Sequence, residues 1–273
     1  MDAGMDTSSL SCRVCHSDAL YVGATDFNKS GNDHFEHRRL FPVAEDQVAY
    51  YRCQHCKLMF TPYFDDWNDN DFRQRVYNHE YLLADPPFAG ERPARLADYL
   101  AGLLGDEHKD LAMLDFGGGS GQLEDYLKAL GIQNCTTYDP HHHENDTRPE
   151  LEFDLVTAFE VVEHVSDQYD LFRDLCSLVA NDGVLLISTL LQPDNIDTLG
   201  TDWWYVCPRN AHMTFHTRES LQWVLQEYGF TLHSLSEELH IAYRHPNRLS
   251  ERFVSRAGIV QVNSQPSPEK QMA

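Results

Sequence analysis

Hydrophobic positions are distributed differently in the two parts of the chain. Between residues 12 and 60, apolar side chains are sparse among His, Asn and Asp. From residue 111 onward, short apolar runs alternate with stretches of helical periodicity, a pattern typical of βαβ units on a parallel sheet. The chain therefore predicts a small N-terminal module followed by a larger α/β domain.

The predicted strands are the apolar runs, and the predicted helices are the periodic segments between them. Strands are expected at 111–116, 135–139, 153–159 and 184–190, with 230–235 and 240–243 as a closing hairpin. Helices are expected at 94–104, 122–130, 167–179 and 218–228. The predicted organisation is a flexible N-terminus at 1–11, a module at 12–60, a linker with cap helices at 61–105, the α/β domain at 106–245 and a flexible polar tail at 246–273.

The amino-acid composition and net charge exclude some classes of binding partner. The 273 residues carry 21 Lys+Arg and 43 Asp+Glu, a net charge of −22, and 42% are hydrophobic, enough to bury a core. Such an acidic chain repels nucleic acid and anionic membrane surfaces. No secretion signal and no apolar run long enough to span a membrane is visible, so we expect a cytoplasmic protein with a small-molecule or protein partner.

The seven cysteines favour metal binding over disulfides, because the number is odd and the expected compartment is reducing. Two C-x-x-C pairs can complete a tetrahedral shell of four thiolates, which leaves no open position and indicates one structural zinc ion. Iron instead of zinc, or His16 or His55 in place of a cysteine, stays open. The expected ligands are Cys12, Cys15, Cys53 and Cys56, whereas Cys135, Cys176 and Cys207 are expected to be packed in the interior.

A glycine-rich loop follows the first predicted strand of the α/β domain and opens a helix. Its pattern is D-x-G-x-G-x-G, over Asp115, Gly117, Gly119 and Gly121. A dinucleotide fingerprint would need a third glycine where Gln122 stands, so a nicotinamide-dependent oxidoreductase is disfavoured. The next strand ends in an aspartate that is well placed to accept hydrogen bonds from ribose hydroxyls, Asp139.

At this point the chain resembles the class I S-adenosylmethionine-dependent methyltransferases of the ubiquinone-biosynthesis-type subgroup. The resemblance continues in 153–156, 159–165 and 181–189, which look like the fourth-strand motif, the turn and the fifth strand of that family. It implies a Rossmann-like, seven-stranded α/β sheet, preceded here by a zinc-ribbon-like module. Only residues 140–152 separate the second strand from the fourth, so the third-strand region is shortened and the adenine contact is unnamed. The triple histidine in this stretch, residues 141–143, is expected to be a solvated loop.

The resemblance also implies roles for individual residues in binding S-adenosylmethionine. The three alternating glycines would pass beneath the methionine part and ribose, and Asp115 would orient the loop or reach the methionine ammonium. Asp139 would hold the ribose. Phe159 and Glu160 would lie beside the cofactor through main-chain contacts. The cysteine pairs are similar to a zinc-binding domain that precedes certain bacterial sugar C-methyltransferases, although a protein contact by this module stays open.

Candidates for catalysis follow the fourth and fifth strands, at the edge of the sheet where ligands bind. Glu163 and His164 come directly after the fourth strand, where they can also cap the next helix. His212 is expected to be a general base or acceptor contact, His216 is a further candidate, and the aromatic stretch 203–205 is a candidate wall over the acceptor. We therefore predict methyl transfer to a small molecule, with oxygen favoured over carbon or nitrogen. The alternative is an inactive methyltransferase-like scaffold with a structural zinc module; a nucleic-acid methyltransferase is disfavoured by the charge.

Overall fold

The computed structural model describes residues 9–105 and 110–264. The predicted flexible ends lie outside the described residues at 1–8 and 265–273. Within the described ranges, no helix is both long and apolar enough to cross a membrane.

The N-terminal segment folds into an antiparallel sheet with a neighbouring short helix. The helix, α1 (Asn32–Phe35), lies between the second and third strands. The strands are β1 (Leu10–Ser11), β2 (Asp18–Asp26), β3 (Gln47–Cys53) and β4 (Met59–Phe60), paired in that order. β1 lies within the segment 1–11 that the sequence predicts to be flexible. The prediction is wrong for these two residues, because their backbone pairs with Ala19 and Asp18 of β2.

Three helices follow, as the prediction of cap helices requires. They are α2 (Asp69–Arg75), α3 (Tyr81–Ala84) and α4 (Glu91–Leu104). α2 begins at Asn68 with a capping box, in which the Asn68 side chain accepts main-chain N–H groups and the Asp71 side chain accepts that of Asn68. α4 buries the face formed by Ala97, Leu100, Leu103 and Leu104.

The α/β domain contains a mixed sheet of six strands among the described residues: β5 (Met113–Phe116), β6 (Cys135–Tyr138), β7 (Phe153–Phe159), β8 (Val179–Ser188), β10 (Thr231–Ser234) and β11 (Leu239–Tyr243). Their order in the sheet is β10-β11-β8-β7-β5-β6. Strands β8, β7, β5 and β6 are parallel, and β11 pairs antiparallel with β8. The expected seven-strand count is not confirmed within residues 110–264, where the chain between β6 and β7 forms turns. The prediction of a shortened third-strand region agrees with this.

In the part of this domain that the structure describes, five α-helices accompany the sheet: α5 (Gln122–Ala129), α6 (Gln168–Ser177), α7 (Ile196–Leu199), α8 (Arg218–Gln226) and α9 (Arg248–Ser264). α9 corrects the prediction of a flexible tail from residue 246. Its Leu249 and Phe253 are buried, and Arg252 Nε donates to the Leu103 carbonyl of α4 at 3.0 Å. A narrow apolar stripe is enough for a helix that packs on another helix, even where the segment as a whole is polar.

One strand joins the N-terminal sheet to the α/β domain. β9 (Thr214–Phe215) follows β8 in the chain but pairs with β4, and it is the fifth strand of the N-terminal sheet. Buried Val48, Tyr50 and Met59 form one core with residues of the segment between β8 and β9. The apolar side chains of the N-terminal segment are thus buried against a part of the chain that is distant in sequence. The local pattern of apolar residues does not predict this contact.

Candidate functional site

The glycine loop lies at the carboxyl end of β5, as predicted. The Gly117 N–H donates to the Tyr138 carbonyl at 2.7 Å, which ties the loop to the end of β6. Gly117, Gly119 and Gly121 have φ values of 74°, 56° and 83°, a region that side chains with a Cβ rarely occupy. The backbone therefore needs glycine at each of these three positions.

Asp115 lies underneath this loop. Its Oδ1 accepts a hydrogen bond from Thr157 Oγ1 at 2.9 Å, and burial raises the pKa of the carboxyl to about 7. A Cβ at Gly118 would lie 2.1 Å from Asp115 Oδ2, so this glycine, for which we predicted no role, is required by close approach. Of the two predicted roles for Asp115, this position fits orientation of the loop.

Asp139 follows β6 directly and faces the loop. Its Oδ2 accepts the Gly119 N–H at 2.9 Å, and its Oδ1 accepts the His141 N–H at 2.8 Å. Asn145 Nδ2 donates to the Gly119 carbonyl at 2.7 Å from the same turn. Since a carboxylate offers about four lone-pair positions, Asp139 keeps capacity for further donors.

Glu160 begins the loop after β7 with a φ of 53°, while Phe159 ends the strand in the core. The Glu160 N–H donates to Ser188 Oγ at 3.0 Å, so a main-chain contact to a ligand is left to its carbonyl. Its side chain accepts from Ser188 Oγ at 3.1 Å. Burial raises the pKa of this carboxyl, and the charge of Arg92 opposes the increase.

Glu163 lies in a short 3-10 turn immediately after β7 and is fully buried. Its Oε1 accepts a hydrogen bond from Tyr205, whereas Oε2 has no hydrogen-bond partner. Burial, followed by repulsion from Glu160, raises the pKa of Glu163 to about 8. This carboxyl group therefore has one oxygen that is both buried and unsatisfied.

His164 and His212 come together beside Glu163. Their ring centroids are 4.8 Å apart, and one ligand-type atom from each of the three residues lies within 4.8 Å of the others. His212 Nδ1 lies 2.9 Å from the Tyr205 carbonyl, so Nδ1 carries the proton and Nε2 the lone pair. Burial lowers the pKa of His164 to about 4 and that of His212 well below its ordinary value. Both rings are thus neutral.

His216 does not belong to this cluster. It is fully buried, with Nδ1 3.0 Å from Ser220 Oγ and Nε2 2.9 Å from Gln168 Oε1. Both ring nitrogens are used inside the protein. Its position corrects the suggestion that it contacts an acceptor.

Two residues that contact the predicted site residues were not predicted in this role from the sequence. Tyr205, predicted as part of an apolar wall, holds Glu163 through its hydroxyl and His212 through its carbonyl. Arg92 of α4 pairs with Asp85 at 2.8 and 3.0 Å, and its charge acts on Glu160 and on the nearby histidine rings. Neither residue belongs to a sequence motif, because Tyr205 is 42 residues from Glu163 and Arg92 is still further from Glu160.

The four predicted metal ligands converge beside helices α6 and α8 of the α/β domain. Cys12 Sγ lies 3.5 Å from Cys56 Sγ, Cys15 Sγ lies 3.3 Å from Cys53 Sγ, and all four sulfurs are within 4.8 Å of one another. A tetrahedral zinc shell with 2.3 Å bonds has edges of about 3.8 Å, so the donor set fits zinc.

The knuckles and the other cysteines also agree with this arrangement. Main-chain N–H groups of Val14 and His55 donate to Cys12 and Cys53 sulfur at 3.4 and 3.3 Å. The rings of His16 and His55 pack instead on Tyr169 and Trp223. The remaining cysteines are free and buried, as predicted: Cys135, Cys176 and Cys207.

A family model described as a methyltransferase domain matches residues 88–235, more than half of the chain. The chain belongs to this methyltransferase-domain family. The prediction of a class I S-adenosylmethionine-dependent methyltransferase is confirmed at this level, whereas the ubiquinone-biosynthesis-type subgroup stays a prediction. No curated protein matches the sequence.

Solved methyltransferase structures are similar to part of this methyltransferase-domain protein. Human N-acetylserotonin methyltransferase in complex with SAM is 16% identical, with a TM-score of 0.42 over 57% of this chain and 55% of that one. An O-methyltransferase family protein from Burkholderia thailandensis is 17% identical, with a TM-score of 0.44 over 56% of each chain. The magnesium protoporphyrin IX methyltransferase of Synechocystis PCC 6803, with bound SAH, is 15% identical, with a TM-score of 0.39 over 57% of this chain and 87% of that one. The match thus spans little more than half of the human and Burkholderia chains.

Proposed function

We propose that this protein transfers a methyl group from S-adenosylmethionine to a small-molecule acceptor, with oxygen as the favoured acceptor atom. The observation that carries the proposal is the adjacency of two groups at one edge of the sheet. A Cβ at Gly117 would lie 2.6 Å from Val161 Cγ2, so the glycine loop touches the turn that presents Glu163. We call the glycine loop (117–121), Asp139 and the cluster of Glu163, His164 and His212 the strand-tip site.

The cofactor half of the strand-tip site is assigned to the glycine loop and Asp139. The free lone pairs of the Asp139 carboxylate accept the ribose hydroxyls, and the loop backbone passes below the methionine part. Gly90, at the start of α4, donates its N–H to Gln122 Oε1 at 2.8 Å, which brings this helix to the loop. Arg92, two residues further, keeps N–H groups beyond those that pair with Asp85, and its positive charge is therefore assigned to the methionine carboxylate.

The acceptor half is assigned to Glu163, His164 and His212. When bound, S-adenosylmethionine supplies a methyl group already made electrophilic by its sulfonium, so the protein aligns the acceptor and assists loss of its proton. A neutral His212 with its lone pair on Nε2 can contact an acceptor hydroxyl. Tyr205 fixes the orientation of both the imidazole and the Glu163 carboxyl group.

We also propose that the four cysteines hold one structural zinc ion. The donor set, the sulfur separations and the N–H groups directed at Cys12 and Cys53 support this assignment. Four thiolate ligands leave no position for a substrate. The ion would therefore stabilise the N-terminal sheet without taking part in methyl transfer.

Calorimetric titration with S-adenosylhomocysteine tests the proposal, with NAD as the control ligand. We expect one-to-one micromolar binding of S-adenosylhomocysteine and none of NAD. Asp139→Ala should weaken binding on the order of 100-fold, since two hydrogen bonds to a charged group are lost. Asp146→Ala, an exposed acid in the same turn, is the matched control and should bind normally. Absence of binding by the folded protein would leave a scaffold as the better interpretation.

A further inference from the structure

Glu163, His164 and His212 form a set of donors that is suited to a cation. One carboxylate oxygen and one nitrogen from each imidazole come within 4.8 Å of one another. We propose that these three side chains bind a divalent transition-metal ion, such as Mn²⁺ or Zn²⁺, and that the acceptor binds this ion through an oxygen atom. The part about the acceptor rests on the proposed methyltransferase function; the ion site itself does not.

The Glu163 carboxyl group supplies the first independent observation. The residue has no exposed surface, and its Oε2 has no hydrogen-bond partner. An unsatisfied buried polar atom is rare, because its lost hydration costs folding free energy. A coordinated cation would satisfy this oxygen, while Tyr205 keeps the other in place.

The two imidazoles are held in the way that metal-binding histidines usually are. His212 Nδ1 is hydrogen-bonded to the Tyr205 carbonyl, which leaves the Nε2 lone pair as a ligand. His164 Nδ1 lies 3.5 Å from the Tyr77 hydroxyl, a partner that can orient this ring. A histidine that ligates a metal commonly donates its other N–H to a carbonyl or carboxylate, which fixes its tautomer and orientation.

The composition of the set indicates the kind of ion and its role. Two imidazoles and one carboxylate suit Zn²⁺, Mn²⁺ or Fe²⁺ and leave coordination positions open, unlike a shell of four thiolates. The three residues lie at the edge of the sheet where we place the acceptor.

An ion at this position would change how the acceptor is activated. A hydroxyl bound to a divalent metal loses its proton more readily, so the acceptor would bind as an oxyanion with its proton released to water. The new O–CH₃ bond then forms as the S–CH₃ bond breaks, and the electron pair of the broken bond stays on sulfur as S-adenosylhomocysteine. In this arrangement His212 acts by holding the ion.

The test is a Mn²⁺ titration of the full-length protein, first loaded with one equivalent of Zn²⁺ for the cysteine cluster. Bound Mn²⁺ is followed by loss of the free-ion electron paramagnetic resonance signal, without any turnover. We expect one Mn²⁺ per chain, with affinity reduced on the order of 100-fold or more in Glu163→Gln and in His212→Ala. His245→Ala, an exposed histidine that pairs with Asp182, is the control and should bind Mn²⁺ normally.

S-adenosylhomocysteine binding by the same samples separates the two proposals. Variants that bind S-adenosylhomocysteine but not Mn²⁺ support the ion site and show that they are folded. Wild-type protein that binds S-adenosylhomocysteine but neither Mn²⁺ nor added Zn²⁺ at millimolar concentration overturns the ion site and leaves methyl transfer standing. Binding of Mn²⁺ that is unchanged in Glu163→Gln overturns it too. A further outcome is that wild-type protein binds Mn²⁺, Glu163→Gln does not, and neither binds S-adenosylhomocysteine. This outcome supports the ion site and contradicts the proposed methyltransferase function.

Discussion

The cysteine cluster and the strand-tip site both bring ionisable side chains together, but they do so differently. The four cysteines come from two short turns within the first 60 residues, and their sulfurs lie close to one another and accept main-chain N–H groups. The strand-tip site gathers groups from loops after different strands, and Glu163 keeps an unused oxygen. A saturated cluster can contribute stability alone, whereas an unsaturated one keeps capacity for a ligand. Changes in the first should therefore alter folding, and changes in the second should alter chemistry.

The largest effect is expected from loss of the cysteine shell. Cys12→Ser with Cys15→Ser should remove zinc and lower the melting temperature on the order of 10 °C or more, because structural zinc contributes many kcal/mol to folding. Thermal unfolding and metal content measured on the same sample would check this. Cys176→Ala, a buried cysteine outside the cluster, is the matched control and should keep the metal. A double variant with an unaltered melting temperature would contradict a stabilising role.

Two neighbouring histidines offer the sharpest contrast. His212→Ala should lower turnover about 10²–10⁴-fold without changing S-adenosylhomocysteine affinity, as expected for a group that assists proton transfer or holds the acceptor. His216→Ala should instead lower the melting temperature by about 5–10 °C, because two buried hydrogen bonds are lost, while the folded fraction keeps its turnover. Formation of S-adenosylhomocysteine with a panel of hydroxylated acceptors gives the rates. Equal losses of turnover in both variants would contradict the assignment of His212 to turnover and of His216 to stability.

Asp115 lies beside the strand-tip site, but we expect its charge to affect the stability of the fold. It is therefore an exception to the rule that changes near this site alter chemistry. Its pKa in the folded state is raised from 3.8 to about 7, so between these values the folded protein holds a proton that the unfolded chain has lost. The free energy of unfolding therefore falls as pH rises through this window. Asp115→Asn removes the penalty and should raise the melting temperature over wild type by a few °C more at pH 8 than at pH 5.

Melting curves at the two pH values, with exposed Asp146→Asn as the control, measure this difference. The control should show no gain that depends on pH, since its side chain is in solvent. A gain of equal size at pH 5 and pH 8 for Asp115→Asn would mean that the carboxyl is ionised throughout.

The parts of the molecule that were predictable are those whose chemistry is local in the chain. The glycine loop, Asp139 and the cysteine pairs each occupy a few consecutive residues, and the structure brings each group to the expected place. Tyr205 was not predictable as a partner of Glu163, since 42 residues separate them and no periodicity relates them. α9 was missed because two apolar residues, Leu249 and Phe253, decide its packing in a polar segment.

The short strand β9 has a consequence for exchanging parts between related proteins. It follows His212 by two residues and is hydrogen-bonded to β4, while the Tyr50 hydroxyl donates to the His212 carbonyl at 3.0 Å. The N-terminal segment thus contacts the strand-tip site through residues 162 positions apart in the chain. A chimera that replaces residues 10–60 alone would place unmatched residues against β9 and the His212 carbonyl. Under the proposed function, a change of acceptor preference therefore requires that this segment and the one around His212 be inherited together.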